Sequence, residues 1–272
     1  MSGVALRLRA PLPDAIDARS VFAPGWSALD PAALARREVT LPDATAVPLG
    51  ELFTVEALGE PGHATVTGDL GRLAYLGAGL AEGRVLVDGS AGRGVGAGMR
   101  GGWLEVRGDA GDDAGVAMAG GALLVHGDAG HRAGAAAPGA KRGMTGGELV
   151  VLGSAGDEAG ARMRRGIVAV AGAVGAAAGA AMLAGTVVAT GFGPDAGLFS
   201  RRGTLVALGH VDPPATYRLA AIMQPVIVRL LLRHLRDRYA FPVAAAHIDG
   251  FYRRFSGDFA ETGKGEILAW TA

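Results

Sequence analysis

One feature constrains this chain more than any other: a glycine-bounded heptapeptide that returns about every 19 residues. The copies are Gly83-Arg-Val-Leu-Val-Asp-Gly89, Gly102-Trp-Leu-Glu-Val-Arg-Gly108, Gly121-Ala-Leu-Leu-Val-His-Gly127, Gly147-Glu-Leu-Val-Val-Leu-Gly153, Gly166-Ile-Val-Ala-Val-Ala-Gly172, Gly185-Thr-Val-Val-Ala-Thr-Gly191 and Gly203-Thr-Leu-Val-Ala-Leu-Gly209. Successive starts differ by 19, 19, 26, 19, 19 and 18, the 26 being a 19 with seven residues inserted near Ala135 to Lys141. A fainter copy runs from Gly62 to Gly68. A fixed period of this kind is the signature of a repeat architecture.

Further positions hold phase within each copy. Gly92, Gly111, Gly130, Gly156 and Gly175 lie nine residues after their start, and Gly96, Gly115, Gly134, Gly160 and Gly179 lie thirteen after. Met99, Met118, Met163 and Met182 lie sixteen after, and Met144 joins them once the insertion is removed. Glycine is accordingly abundant, 46 of 272 residues, but it lacks the strict period of three that collagen needs.

The pairs Val85/Val87, Leu104/Val106, Leu123/Val125, Leu149/Val151 and Val168/Val170 alternate with outward residues such as Arg84, Glu105 and His126. Period-two alternation predicts a short strand with one buried face. Gly followed by Asp or Ser (Asp69, Ser90, Asp109, Asp128, Ser154) predicts a turn in which the side chain bonds to nearby backbone amides. A period of 19 is too short for a propeller blade of ~40 residues or a βαβ unit of ~30. It fits one coil of a parallel β-helix with rungs ~4.8 Å apart. The expected fold is therefore all-β: a single-stranded right-handed parallel β-helix, with Val/Leu and Met columns inside. Met suits an irregular corner because it is unbranched.

Three regions follow: residues 1–61 as an N-terminal cap, 62–211 as the Gly-repeat β-helix, and 212–272 as a C-terminal helix and tail. The first region contains a Pro-punctuated stretch from Pro11 to Pro24 and a short helix predicted over Pro31 to Glu38, with Asp30 as its N-cap. An exposed coil end needs a cap. In the last region Pro225 opens a helical pattern that runs to Arg238. Outward strand positions are polar in early copies (Arg84, Asp88, Glu105, Arg107) and apolar in late ones (Val150, Leu152, Ile167, Ala169, Ala171, Leu208). Something must cover that late face, either the tail helix or another subunit.

Composition excludes several chemistries. There is no cysteine, hence no disulfide, thiolate metal site or thiol nucleophile. Lys+Arg and Asp+Glu are both 26, so the chain is no general nucleic-acid binder. Met1 to Arg9 has no apolar run of signal-peptide type, so a cytoplasmic location is expected. Residues 166–194 lack charge and contain Gly175-Ala-Ala-Ala-Gly179, yet they keep the repeat phase, so a coil is expected there and no membrane span. Gly96-Ala-Gly98-Met-Arg-Gly101 and the stretch Gly257 to Gly265 imitate nucleotide motifs without the required context. His126 and His131 on one coil are read as exposed polar residues, with no metal. No nucleophile elbow or triad spacing is present.

The ladder G-x-L-x-V-x-G-D-A-G-x-x-A-G-x-x-M-x-G resembles the Gly-repeat subunit of formylmethanofuran dehydrogenase, and the C-terminal domain of glutamate synthase large subunits is similar. Gly50-Glu-Leu-Phe-Thr-Val55 resembles that family's entry segment, and Phe255-Ser-Gly-Asp258 with Gly263-Lys-Gly-Glu-Ile267 its tail. The Ala/Arg/Gly-rich usage turns the resemblance toward the bacterial version, the Gly-repeat subunit of the formyltransferase/hydrolase complex. The resemblance implies a non-catalytic structural and assembly subunit, with no cofactor chemistry or catalytic residue of its own. Its partners would be a formyltransferase subunit, an amidohydrolase-like subunit and a further chain. That complex moves a formyl group from a tetrahydromethanopterin carrier to a furan cofactor and releases formate. The alternatives are the corresponding subunit of an archaeal-type molybdenum or tungsten formylmethanofuran dehydrogenase, and an independent polysaccharide-acting β-helix enzyme. Lys141, Arg142, Arg164 and Arg165, with Arg162, form a candidate basic patch for the polyglutamate tail of a methanofuran-type cofactor. Solvated turn charges or salt bridges to a partner are the competing reading of these residues.

Overall fold

The computed structural model describes residues 3–12 and 14–271. Pro13 of the Pro-punctuated stretch lies outside the described residues, as do Met1, Ser2 and Ala272. The N-terminal strands are β1 (Gly3–Leu8), β2 (Ile16–Asp17), β3 (Glu38–Thr40), β4 (Ala46–Pro48), β5 (Phe53–Leu58), β6 (His63–Thr67) and β7 (Leu73–Ala74). The repeats supply β8 (Arg84–Asp88), β9 (Arg100–Val106), β10 (Ala119–Val125), β11 (Thr145–Val151), β12 (Arg165–Val174), β13 (Thr186–Phe192) and β14 (Arg202–Ala207). The tail adds β15 (Arg218–Met223), β16 (Phe251–Gly257) and β17 (Lys264–Thr271). The α-helices are α1 (Pro31–Ala35), α2 (Leu49–Leu52), α3 (Val226–Tyr239) and α4 (Ala245–Ile248).

Thirteen strands form one sheet in the order β15-β16-β17-β14-β13-β12-β11-β10-β9-β8-β6-β1-β5. Every neighbour pair from β1 to β17 is parallel; only the pairs at the two ends are antiparallel. Each repeat therefore leaves the sheet, turns, and returns one rung further on, which is a β-helix-like architecture. The register stacks Val85, Leu104, Leu123, Leu149, Val168, Val187 and Leu205 in one column, and Val87, Val106, Val125, Val151, Val170, Ala189 and Ala207 in the next. A second line of parallel bridges joins Leu70, Ala91, Ala110, Ala129, Ala155 and Val174 on another side of each coil.

Met99, Met118, Met144, Met163 and Met182 are all buried and belong to one core with those columns. Their carbonyls accept in turn from Ala119, Thr145, Arg164, Leu183 and Arg201 at 2.7–2.8 Å, so equivalent positions do lie rung on rung. Burying each such side chain contributes about 1.5–3 kcal/mol relative to exposure.

The two glycine ladders have different causes. Gly115, of the ladder thirteen residues in, has φ +61°, a left-handed turn that also leaves room for the Met118 sulfur. Gly111, of the ladder nine residues in, has an ordinary φ. A Cβ there would sit 2.9 Å from the Arg93 amide nitrogen, so the rung below forbids it.

Three of the turn residues, Ser90, Asp109 and Asp128, act differently from the sequence expectation. Their side chains reach the next coil rather than their own turn. Asp109 N–H donates to Ser90 Oγ (3.0 Å), Asp128 N–H to Asp109 Oδ1 (2.8 Å) and Ser154 N–H to Asp128 Oδ1 (2.7 Å).

The tail also departs from expectation. Its last strand, β17, is a further parallel rung: Ile267 and Ala269 pair with Leu205 and Ala207 and continue both inner columns. The N-terminal region contributes β1 and β5 to the same sheet and adds a small sheet, β4-β3-β2-β7. Asp30 caps α1 as expected, its Oδ1 accepting from Ala33 N–H at 2.6 Å. That helix stops at Ala35, and Glu38 starts a strand.

Candidate interaction surfaces

The late apolar outer face is covered by the chain's own helix. Val228, Leu232, Leu235 and Tyr239 of α3 recur at helical spacing and form a second core with Leu124, Val150, Ala169, Val188, Val206 and Leu268. Glu148 fixes the far end. Its carboxylate accepts from Tyr239 Oη, lies 2.7 Å from His234 Nε2, and lies 3.6 Å from Arg238 Nε. Burial and the adjacent carboxylate raise the Tyr239 pKa, so the phenol stays a donor. Tyr239 also stacks on Trp103 (5.5 Å, 13°).

Beyond α3 the outer face of the early coils stays open. It forms a groove of about 670 Å³ lined by His63, Arg84, Leu86, Glu105 and Arg107 among others. Several charges on this face are matched, Arg107 Nη1 to Asp88 (3.1 Å), His126 to Glu105 (3.1 Å) and His63 to Glu60 (3.4 Å), while Arg84 lies over the Trp103 ring (5.1 Å).

His126 and His131 do not converge. His131 Nδ1 accepts from Asp157 N–H (3.1 Å), while its own amide donates to Asp112 Oδ1 (2.8 Å), so it is one step of a coil-to-coil polar ladder. Among the described residues no three His, Cys, Asp or Glu side chains are grouped to hold a metal. Nor is any helix there long and apolar enough to cross a membrane; residues 166–194 form β12, a turn and β13.

The structure divides the candidate basic residues. Arg162 meets the inserted loop, its carbonyl accepting from Gly143 N–H (2.7 Å) and its Nη1 donating to Ala140 O (3.3 Å), beside Lys141 and Arg142. Arg164 and Arg165 instead line a groove of about 510 Å³ with Arg201, Arg202, Thr262 and Lys264. Register explains this: Arg202 pairs with Lys264, so arginines and a lysine from separate coils share one column. Arg201 pairs with a carboxylate, Glu261, at 3.1 Å. The sequence reading missed Arg201, Arg202 and Lys264. The signal for the arginines was phase, because they directly precede the start of a copy, as Arg164 and Arg165 do.

Two buried carboxylates stabilise the turns. Burial would raise the Asp113 pKa, but hydrogen bonds from Arg132 Nε and Arg93 Nε, both 2.7 Å, outweigh it and hold the carboxyl below the usual range. Asp258 is likewise held low despite burial, by amide donors from Ala260 and Phe199, both 2.8 Å. Tyr217, whose hydroxyl donates to Gly197 O (2.9 Å), is pushed up to about 12 by burial. Asp113 ties neighbouring coils to one another, and Asp258 and Tyr217 tie the last coils to the tail.

No family model and no curated protein matches the chain. Among solved structures it is similar to a chain in the crystal structure of the formyltransferase/hydrolase complex (FhcABCD) from Methylorubrum extorquens in complex with methylofuran. The two are 37% identical with a TM-score of 0.87, over 98% of this chain and 100% of that chain.

Proposed function

The chain belongs to the family of the formyltransferase/hydrolase-complex subunit that it matches along its whole length; from that premise we propose that it is the Gly-repeat subunit of such a complex, a non-catalytic part on which the others assemble. Its partners are then a formyltransferase chain, an amidohydrolase-like chain and one further chain. The assembly transfers a formyl group to a methanofuran-type cofactor and releases formate, in the cytoplasm. The single observation that carries this reading is the full-length likeness at 37% identity. The coil stack supports it, since its residues are spent on columns and ladders. We read the stack as a single-stranded right-handed β-helix, the hand adopted by ~98% of parallel crossover connections.

Co-expression with the neighbouring chains tests the proposal. The expected result is stoichiometric recovery in one complex, with no formyl transfer or hydrolysis by the isolated chain. An isolated chain that turns over either substrate overturns it. The basic residues fit the same reading as a contact for a polyglutamate tail, now centred on Arg164 and Arg165 with Arg201, Arg202 and Lys264 rather than on Lys141 and Arg142. Cofactor affinity unchanged by Arg164→Glu with Arg165→Glu removes that contact.

A further inference from the structure

Nine large apolar side chains are exposed among the described residues, and all nine lie between Phe199 and Phe259. Most of them gather around the last strand of the sheet. One edge of β15 pairs with β16; nothing pairs with the other among the described residues, and all six residues of the strand are exposed. From Leu219 to Met223 that strand has no charge and no proline. Natural sheets protect long apolar edges with such residues, or cover them. The opposite edge strand, β5, carries Glu56. Leu219 (58% exposed) and Ile222 (63%) lie opposite Phe255 and Arg253, which share one face of β16, so a bulge brings both apolar side chains to the same side. Phe251 shares the Arg253 and Phe255 face of β16; on the other face of the same edge Met223 lies opposite Tyr252, and Val226 and Ile227 at the start of α3 are exposed as well.

The rim of this surface has an excess of positive charge. Arg218 donates to backbone carbonyls, and Arg253 lies against the Phe255 ring. Arg229 and Arg233 share a single carboxylate, Asp249, at 3.1 and 3.8 Å. A second copy of this chain would bring the same excess against itself, whereas a different chain can bring acids.

We propose that β15 seats an extended segment of a different chain of the complex. That segment adds a strand to the sheet, packs alternate apolar side chains on Leu219 and Ile222, and sets carboxylates against Arg218 and Arg253. The inference rests on the assembly reading above and names the surface that assembly uses.

The test uses the isolated chain and, as probe, the remaining subunits of the complex purified together. Leu219→Glu and Ile222→Glu are each expected to weaken binding about tenfold or more. The melting temperature of the isolated chain should not move, because both sites are exposed. Arg218→Glu with Arg253→Glu should weaken binding as well. Hydrogen exchange at amides 218–223 should slow in the complex. Wild-type affinity in the Glu variants, or equal exchange with and without partners, overturns the proposal while leaving the assembly reading intact. An isolated chain that is a dimer, made monomeric by Ile222→Glu, overturns it in favour of a second copy. A wild-type chain that binds no partner at all overturns both.

Discussion

The two ends of the coil stack solve the same problem in opposite ways. Each must cover the end of a packed core and finish a sheet. At the N-terminal end Trp26 and Phe22, edge to face at 5.0 Å, lie buried with Leu34, Val39, Leu49 and Phe53. Trp26 packs where a Cβ on Gly83 would fall, and its Nε1 donates to Glu82 O (3.2 Å). Arg37 threads into this cap, donating to the carbonyls of Ser20, Val21 and Ala23. No large apolar side chain of that end is exposed among the described residues. At the C-terminal end β17 adds a rung and α3 covers the outer face, yet β15 and the start of α3 leave apolar surface in solvent. One end thus buries its large apolar side chains within the chain, and the other leaves several of them in solvent.

Four measurements probe that contrast. The largest effect is expected at the closed end: Trp26→Ala should cost about 4 kcal/mol in denaturant unfolding, because a buried aromatic leaves a cavity. Next comes the helix that covers the coils. Leu232→Ala removes a fully buried contact, for an expected loss of about 3 kcal/mol and faster exchange along α3.

Between the ends, Asp113→Asn should cost about 2 kcal/mol, since Arg93 and Arg132 lose a charged acceptor but remain partly solvated. The folded pKa of Asp113 is depressed. Its contribution is therefore present above the unfolded value near ~3.9 and is lost as pH falls through the folded value. Below about pH 4 the wild type should lose stability more steeply than the variant, and thermal melts across that range read the difference. Asp258 is depressed too and keeps part of the slope in both proteins.

The smallest effect belongs to the open end. Ile222→Ser should change stability by less than about 0.5 kcal/mol, because the side chain is already in water. The contrast fails if this change costs as much as Trp26→Ala. It gains force if the same variant loses its partners while its melting curve is unaltered.

Much of this molecule was legible from residue order. The inner columns, the Met column, both glycine ladders and the helix after Pro225 follow from phase. A coil that repeats every 19 residues puts position n on position n+19, so spacing along the chain becomes proximity in space. The tail rung was legible in principle, as Gly265 with Ile267 and Ala269 repeats the start of a copy without its closing glycine.

Tertiary structure alone decided the rest, because those contacts have no period to announce them. It chose α3 over another subunit as the cover of the late face, through Val228, Leu232, Leu235 and Tyr239, which share one core with Val150, Ala169 and Val188. It turned Asp109 and Asp128 from local turn acceptors into links between coils, since the next amide lies a rung away and needs an acceptor. It split the basic residues between a loop and a groove. It left one edge of β15 without a partner among the described residues, because an edge exists only where the chain runs out of strands to lay beside it.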